Sequence, residues 1–341
     1  MSKQRKKAYI AMLILAIAGF VLLQVLMNFR IINRYWQSII NLICINIILA
    51  VSLNIVVGNL GQINLGHAGF MAIGAYTAAI FMKARLVPGV AGFLISLVLA
   101  GLVSCLVGIL IGLPVLRLHG DYLAIVTLAF GEIVRVLVEN LKITGGAQGL
   151  AGIPVINNFA LIYVLTIVSV ALMYSVMTSR HGRAVLAIKD NELAAQSSGI
   201  NVTYYKTFAF GLSALFAGVA GAIYAQTIGV IGSNVFNYNK SFDILVMVVL
   251  GGMGSFTGSI ISATGLTILP EVLRSLSDWR MIIYSVVLVL VMIFRPEGLM
   301  GRREFSIRKF LKIDNPKTGE GKAENINKKT IEEVDNETRE Q

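Results

Sequence analysis

Seven stretches of this chain run for about 17 to 24 residues with almost no charge, and a soluble core almost never needs one such stretch. They cover residues 8–27, 36–57, 63–82, 90–113, 122–138, 159–177 and 207–228. A bilayer core of about 30 Å takes roughly 20 apolar residues of helix. Within lipid every backbone polar group must be satisfied inside the segment, which leaves helices as the spanning element for runs of this length. The expected class is therefore all-α, a polytopic transmembrane helical bundle. Charge supports this, since only 14% of residues are Asp, Glu, Lys or Arg against about 25% in soluble domains.

The formal balance of +11 is not a nucleic-acid signature, because residues 313–341 are themselves acidic, with eight acidic against five basic side chains. The basic surplus flanks the spans instead, as topology signals do. With the N-terminus inside, the inner segments 1–7, 114–121, 178–206 and 295–312 hold 15 Lys and Arg, and the outer segments hold 8. Both termini are expected in the cytoplasm. The run 8–27 is too long for a cleaved signal and exits into Asn28-Phe29-Arg30, so it reads as a retained span. Cys44 and Cys105 fall within spans and suit packing rather than a disulfide framework.

Parity then constrains residues 242–270. Seven spans leave the chain outside at Gly229, and 279–294 returns it inside, so 242–270 must cross twice or not at all. Gly251, Gly252, Gly254 and Gly258 break it, and the halves 243–250 and 259–270 reach only about 12 and 18 Å as helices. The expectation is about eight crossings plus a glycine-broken re-entrant pair meeting near mid-membrane, eight to ten segments in all. A second glycine-broken stretch runs from Gly58 to Gly69. Paired interruptions in two halves of a transporter point to its substrate pathway. Gln62, Asn64, Gly66, His67, Gly69, Gly252 and Gly254 are the candidates there. For His67 itself helix packing is the leading reading, and His119 and His181 are too remote to share a metal with it.

Glu132 and Arg135 lie inside 122–138 with Glu139 at its end, on one helical face. A charge in a span is a functional hypothesis by default, and it places Glu132 among the pathway candidates; a neutralised structural pair is the alternative. In 207–228, Ala214, Gly218 and Ala222 form a small-residue stripe, with Ala217, Gly221 and Ala225 beside it. Such stripes pack helices closely, either within a chain or against a second membrane subunit. No GxxxxGK[ST] occurs, and no Ser/His/Asp, Cys/His or His-Glu-x-x-His arrangement either, so neither ATP hydrolysis by a phosphate loop nor an enzyme active site is expected in the chain. The segment 178–206 has good helix formers, a cap at Asp190 or Asn191 and a stop at Gly199, which suits a short helix lying along the membrane surface.

Three motifs together resemble the M-type permease of branched-chain amino acid ABC transporters. They are residues 61–76 (GQINLGHAGFMAIGAY), residues 118–135 (LHGDYLAIVTLAFGEIVR) and the segment 182–199. The resemblance covers about residues 36–300. Residues 1–35 then form a basic segment with the first span, and 301–341 a cytoplasmic polar tail, disordered from about 313. It implies import of leucine, isoleucine or valine across a bacterial inner membrane, with a second homologous permease, two cytoplasmic ATPases that bind the ATP, and an extracytoplasmic binding protein. No cofactor and no nucleic acid are implied for this chain. The 182–199 segment resembles the family's ATPase-coupling motif, Glu-Ala-Ala followed by three residues and Gly. Ala194, Ala195 and Gly199 match it, Leu193 takes the Glu position, and the neighbouring acid is Glu192; Arg183 and Asp190 complete the coupling candidates. Permeases for urea, amides or other amino acids share much of the pattern. A reading of another class is an ion-gradient transporter with Glu132, Arg135 and Asp243 as a relay.

Overall fold

The computed structural model describes residues 19–20, 24, 33–85, 87–118, 120–156, 158–274, 279–294 and 298–301. The basic N-terminal segment, nearly all of the span expected at 8–27, and the polar tail from 302 lie outside the described residues. In order, the elements are α1 (Arg34–Asn54), a π-helical turn (Ile55–Leu60), α2 (His67–Lys83), α3 (Gly89–Val115), α4 (Asp121–Asn140) and α5 (Phe159–Thr178). Then come α6 (Arg180–Asp190), α7 (Glu192–Ser197), α8 (Val202–Ile228), α9 (Tyr238–Gly251), α10 (Phe256–Val272) and α11 (Arg280–Phe294). A two-residue antiparallel ladder joins β1 (Leu150–Ala151) to β2 (Val230–Ile231).

Among the described residues, four helical stretches are long and apolar enough to cross a membrane: Arg34–Leu60, α3, α5 and α8. Burial sorts them. The first and last are 78% buried in their most apolar windows and form the centre, whereas α3 and α5 are 28% buried and form the rim. On α3 the outward residues include Leu94, Val98, Leu102, Leu106 and Leu110, each largely exposed. Water would penalise that face; hydrocarbon does not, since lipid tails are as apolar as leucine.

At the centre, small residues let backbones touch. A methyl on Gly74 of α2 would lie 2.2 Å from the Gly218 carbonyl oxygen, and one on Gly221 would lie 2.0 Å from the Met71 carbonyl oxygen. Ala214, Ala217, Ala222 and Ala225 are fully buried within the chain. The stripe of Ala214, Gly218 and Ala222 is thus packed against α2 and α3 of its own chain, the first of the two arrangements open to such a stripe. Ser104 Oγ donates to the Phe70 carbonyl at 3.2 Å, Ser213 Oγ to that of Ser52 at 2.7 Å, and Gln226 Nε2 to Ser96 Oγ at 2.8 Å. These bonds carry the polar atoms that the apolar interior cannot solvate.

The hairpin α9–α10 packs along α1. One end is fixed where Tyr35 donates to Glu271, the middle where Asn46 Nδ2 donates to Thr267 Oγ1 at 2.9 Å and Lys240 Nζ to Asn46 Oδ1 at 3.1 Å. At the other end Asn54 Nδ2 donates to the Ser255 carbonyl at 3.0 Å and Gly254 N donates to Asn54 Oδ1 at 2.8 Å. The glycine turn of residues 252–255 therefore sits level with Asn54, 20 residues and about 30 Å of helix from Arg34. The helix that leads into this turn, α9, begins at Tyr238 and is longer than the expected half 243–250 by six residues.

Candidate functional site

The break after α1 starts at the π-helical turn. Gly61 N and Gln62 N both donate to the Val56 carbonyl, the latter at 3.1 Å, and Gly61 adopts a left-handed φ of 77° that ends the helix. Residues 61–66 then run without helix back along α1 until α2 begins at His67, beside Ser52. A helix start deep in a bundle leaves N–H groups needing acceptors. Here neighbouring side chains supply them. Thr127 Oγ1 of α4 accepts from Leu65 N at 3.1 Å, Asn64 Oδ1 from Gly66 N at 2.9 Å, and Ser241 Oγ of α9 from Ala68 N at 3.0 Å.

Asn64 and His67 are buried, and His67 Nε2 lies 3.0 Å from Ser52 Oγ. Gly66 packs on the Thr127 carbonyl and Gly69 on Gly131, so α4 closes over the start of α2. Gln62 is half-buried and its neighbour Ile63 is exposed. Asn64, Gly66, His67 and Gly69 are thus brought together with Thr127, Ser241 and Ser52, three hydroxyls that the sequence did not single out.

Gly252 and Gly254 belong to a different neighbourhood. Gly254 lies against Gly58: a methyl on Gly58 would be 2.3 Å from Gly254 N and 1.9 Å from Asn54 Oδ1. The two glycine-broken segments meet there, at Gly58 and Gly254, one turn and more beyond His67. Leu299 N and Met300 N also reach this turn, donating to the Leu250 and Gly251 carbonyls at 2.7 and 3.3 Å.

Glu132 lies apart from both groups. Its Oε2 accepts from Arg135 Nε at 2.7 Å and its Oε1 from Tyr238 N at 3.0 Å, at the first turn of α9. Arg135 also bonds Glu139 Oε2 at 2.8 Å, which lies 3.4 Å from Ser233 Oγ. Glu132, Arg135 and Glu139 are thus paired with one another, and they tie α4 to the segment that opens α9.

The coupling candidates form a compact unit at the surface of the bundle. Ser179 caps α6 by accepting from His181 N at 3.2 Å, and Asn191 Oδ1 caps α7 by accepting from Ala194 N at 3.0 Å. Gly199, with φ 82°, lets Ile200 N turn back to the Ala195 carbonyl at 3.1 Å. Ala195 is buried, while Ala194 and Leu193 are exposed, Leu193 by 76%. Arg183 and Asp190 are exposed, and Arg183 Nη1 reaches the Thr178 carbonyl at 3.4 Å. Glu192, left without a defined role by sequence, receives Lys206 Nζ on both oxygens at 2.8 Å. That lysine is 5% exposed at the start of α8. A second lysine that sequence reasoning passed over, Lys189, donates to the Gly58 carbonyl.

A family profile described as "Branched-chain amino acid transport system / permease component" matches residues 35–295. The "High-affinity branched-chain amino acid transport system permease protein LivM" of Salmonella typhimurium is 38% identical over 304 residues, 79% of this chain and 71% of that protein. The LivM protein of Escherichia coli is 36% identical over 332 residues, 87% and 75% of the two chains. The LivH permease protein of Escherichia coli is 27% identical over 287 residues, 75% of this chain and 91% of that one. No solved structure matches the chain.

Proposed function

The chain belongs to the permease family of branched-chain amino acid transport systems, and on that premise we propose that it is the M-type subunit of an ABC importer for leucine, isoleucine and valine. It is a membrane transport subunit, and the observation that carries the reading is the family match across the entire helical body, from the first residues of α1 to the end of α11. In this reading a second, LivH-like permease pairs with it in the inner membrane, an extracytoplasmic binding protein delivers substrate, and two separate cytoplasmic ATPases bind the ATP.

Residues 178–206 face the ATPases. ATP binding draws the ATPases together, moves α6 and α7, and shifts the permease between its two states through contacts that differ between them. Leu193 supplies an apolar knob for a groove on the ATPase, with Glu192 and Lys206 holding its helix. Substrate passes along the break at Gln62, Asn64 and His67, and the hydrogen bonds of Thr127 and Ser241 keep that break shut in the state described. With residues 178–206 inside, the glycine turn of 252–255 lies at the inner surface, so α9 and α10 both cross and both termini are cytoplasmic.

Reconstituted with its partners, the complex takes up leucine when ATP is inside and the binding protein outside, and continues when ion gradients are collapsed at constant ATP. Uptake that follows an ion gradient and ignores ATP would replace this reading with a secondary transporter. The pairing of Glu132 and Glu139 with one arginine already argues against an ion relay at those carboxylates.

A further inference from the structure

We infer that Lys189 is the positioning residue that transmits movement of the α6–α7 unit to the two glycine breaks, through its bond to the Gly58 carbonyl. The inference rests on residues 178–206 being the ATPase contact. The bond exists because the π-helical turn leaves a gap. In an α-helix Gln62 N would donate to Gly58, but here it donates to Val56, and the Gly58 carbonyl takes the Lys189 ammonium instead. A helix C-terminus carries partial negative charge, so a cation there is held by charge as well as by the hydrogen bond.

The lysine stem is guided onto this carbonyl: a methyl on Gly61 would stand 3.2 Å from Lys189 Cγ, so the methylenes run over Gly61. Beyond Gly58 nothing soft intervenes. Its Cα meets the Gly254 backbone directly, and Asn54 bonds both Gly254 N and the Ser255 carbonyl. With no side chain at either glycine, no rotamer can absorb a displacement. A shift of α6 larger than the lysine stem can take up must either break the lysine bond or move the turns at 58 and 254 together. Those turns lead directly into residues 61–66 on one side and into α9 and α10 on the other. Lys206, bonded to Glu192, anchors the same unit to α8, and the buried Val185 and Ile188 and the rings of Tyr205 and Phe208 beside His181 hold it to the bundle as well. Of these attachments, the bond of Lys189 is the charged one made to the backbone of a break.

Spatial intermediacy alone does not establish coupling, so the test reads coupling itself. The full complex, in proteoliposomes with the binding protein, is assayed for ATP hydrolysed and leucine taken up in the same sample. K189M keeps most of the stem and loses the charge. Leucine moved per ATP is expected to fall by about tenfold, the change that losing one charge-assisted hydrogen bond makes in an equilibrium, while the ATPases stay bound. K189R, which can still donate to the carbonyl, should recover at least half of the ratio. Wild-type stoichiometry in K189M would overturn the inference, as would parallel loss of hydrolysis and uptake. A K189M chain that fails to assemble would overturn it as well, because the bond would then hold the fold and carry no stroke. Failure of the wild-type complex to take up leucine with ATP would be a separate result, striking the proposed function itself.

Discussion

Glu192 shows how a residue's role can change when its surroundings become visible. In the sequence it stands one place away from the acid of the motif it resembles. In the structure it neutralises Lys206, whose side chain is 5% exposed and has few alternatives. Removing one partner strands the other, so Glu192→Ala should destabilise the chain by about 1–2 kcal/mol. A fully buried pair would lose more, but the Glu192 side chain is 40% exposed and water screens part of the loss. The double substitution Glu192→Ala with Lys206→Met should recover most of it, because the stranded charge is gone. Unfolding midpoints of the purified proteins in detergent check the order; a double variant worse than Glu192→Ala would refute the account. Leu193 makes the opposite case. Being 76% exposed, it contributes little to the fold, yet an apolar side chain at the tip of a capped helix is suited to burial by a partner. Leu193→Asp should leave the unfolding midpoint in place and weaken ATPase association at least about tenfold, the effect of losing one buried leucine. Affinity of the variant for its ATPases, measured in detergent, checks it. In the sequence Leu193 stands out only as a departure from the motif, and Lys206 and Lys189 do not stand out at all. Both act across 14 or more residues, through approaches set by helix packing, and local spacing carries no trace of those.

Among the elements, hydropathy located most helices well, and packing explains where it did not. The run 159–177 became α5 at Phe159–Thr178, and 90–113 became α3 at Gly89–Val115, because rim helices are bounded by where apolar side chains stop. The run 207–228 instead became α8 at Val202–Ile228, extended by a turn that Asn201 caps, accepting from Tyr204 N at 3.1 Å, and that Lys206 anchors. Polar anchoring of this kind is invisible to hydropathy. The small-residue stripe was legible as a packing device, and only the structure showed what it packs. At Gly74 and Gly221 the neighbours are backbone, which cannot turn aside as a side chain can. Gly221→Ala should therefore separate α2 from α8 and cost about 1–3 kcal/mol, as overpacking of a tight core does. Gly265→Ala on α10 is the matched control: nothing lies within 4 Å of the added methyl, so its stability should be unchanged or higher. Detergent unfolding midpoints of the two variants compare them, and equal loss at both sites would mean that the close approach is not what Gly221 serves.

For the whole molecule, the sequence posed a parity problem, and geometry bears on its answer. A helix of 14 residues, α9, reaches only about 21 Å, which invites a re-entrant reading. Yet its glycine turn is bonded to Asn54, touches Gly58, and so stands beside the carbonyl that Lys189 holds. Lys189 belongs to the charged unit of α6 and α7, which cannot sit in hydrocarbon without great cost. The turn must then lie near the same surface as that unit. At the far end, Tyr238 N meets Glu132, and the ladder of Leu150 with Ile231 joins the loops beside it, which in the proposed topology belong to the opposite surface. A short helix can bridge the two surfaces when a bilayer thins locally or polar ends snorkel. Two single cysteines separate the alternatives in a background lacking Cys44 and Cys105. Met253 is 48% exposed on the turn, and Tyr238 is 49% exposed at the start of α9. Met253→Cys should react with an impermeant maleimide only in inside-out vesicles, and Tyr238→Cys only in right-side-out ones. If Met253→Cys stays unlabelled from both sides while Tyr238→Cys labels, the pair is re-entrant, the turn is embedded, and the crossing count falls by two. If both label from one side, the orientation of residues 178–206, and with it the ATPase contact, would have to be reversed.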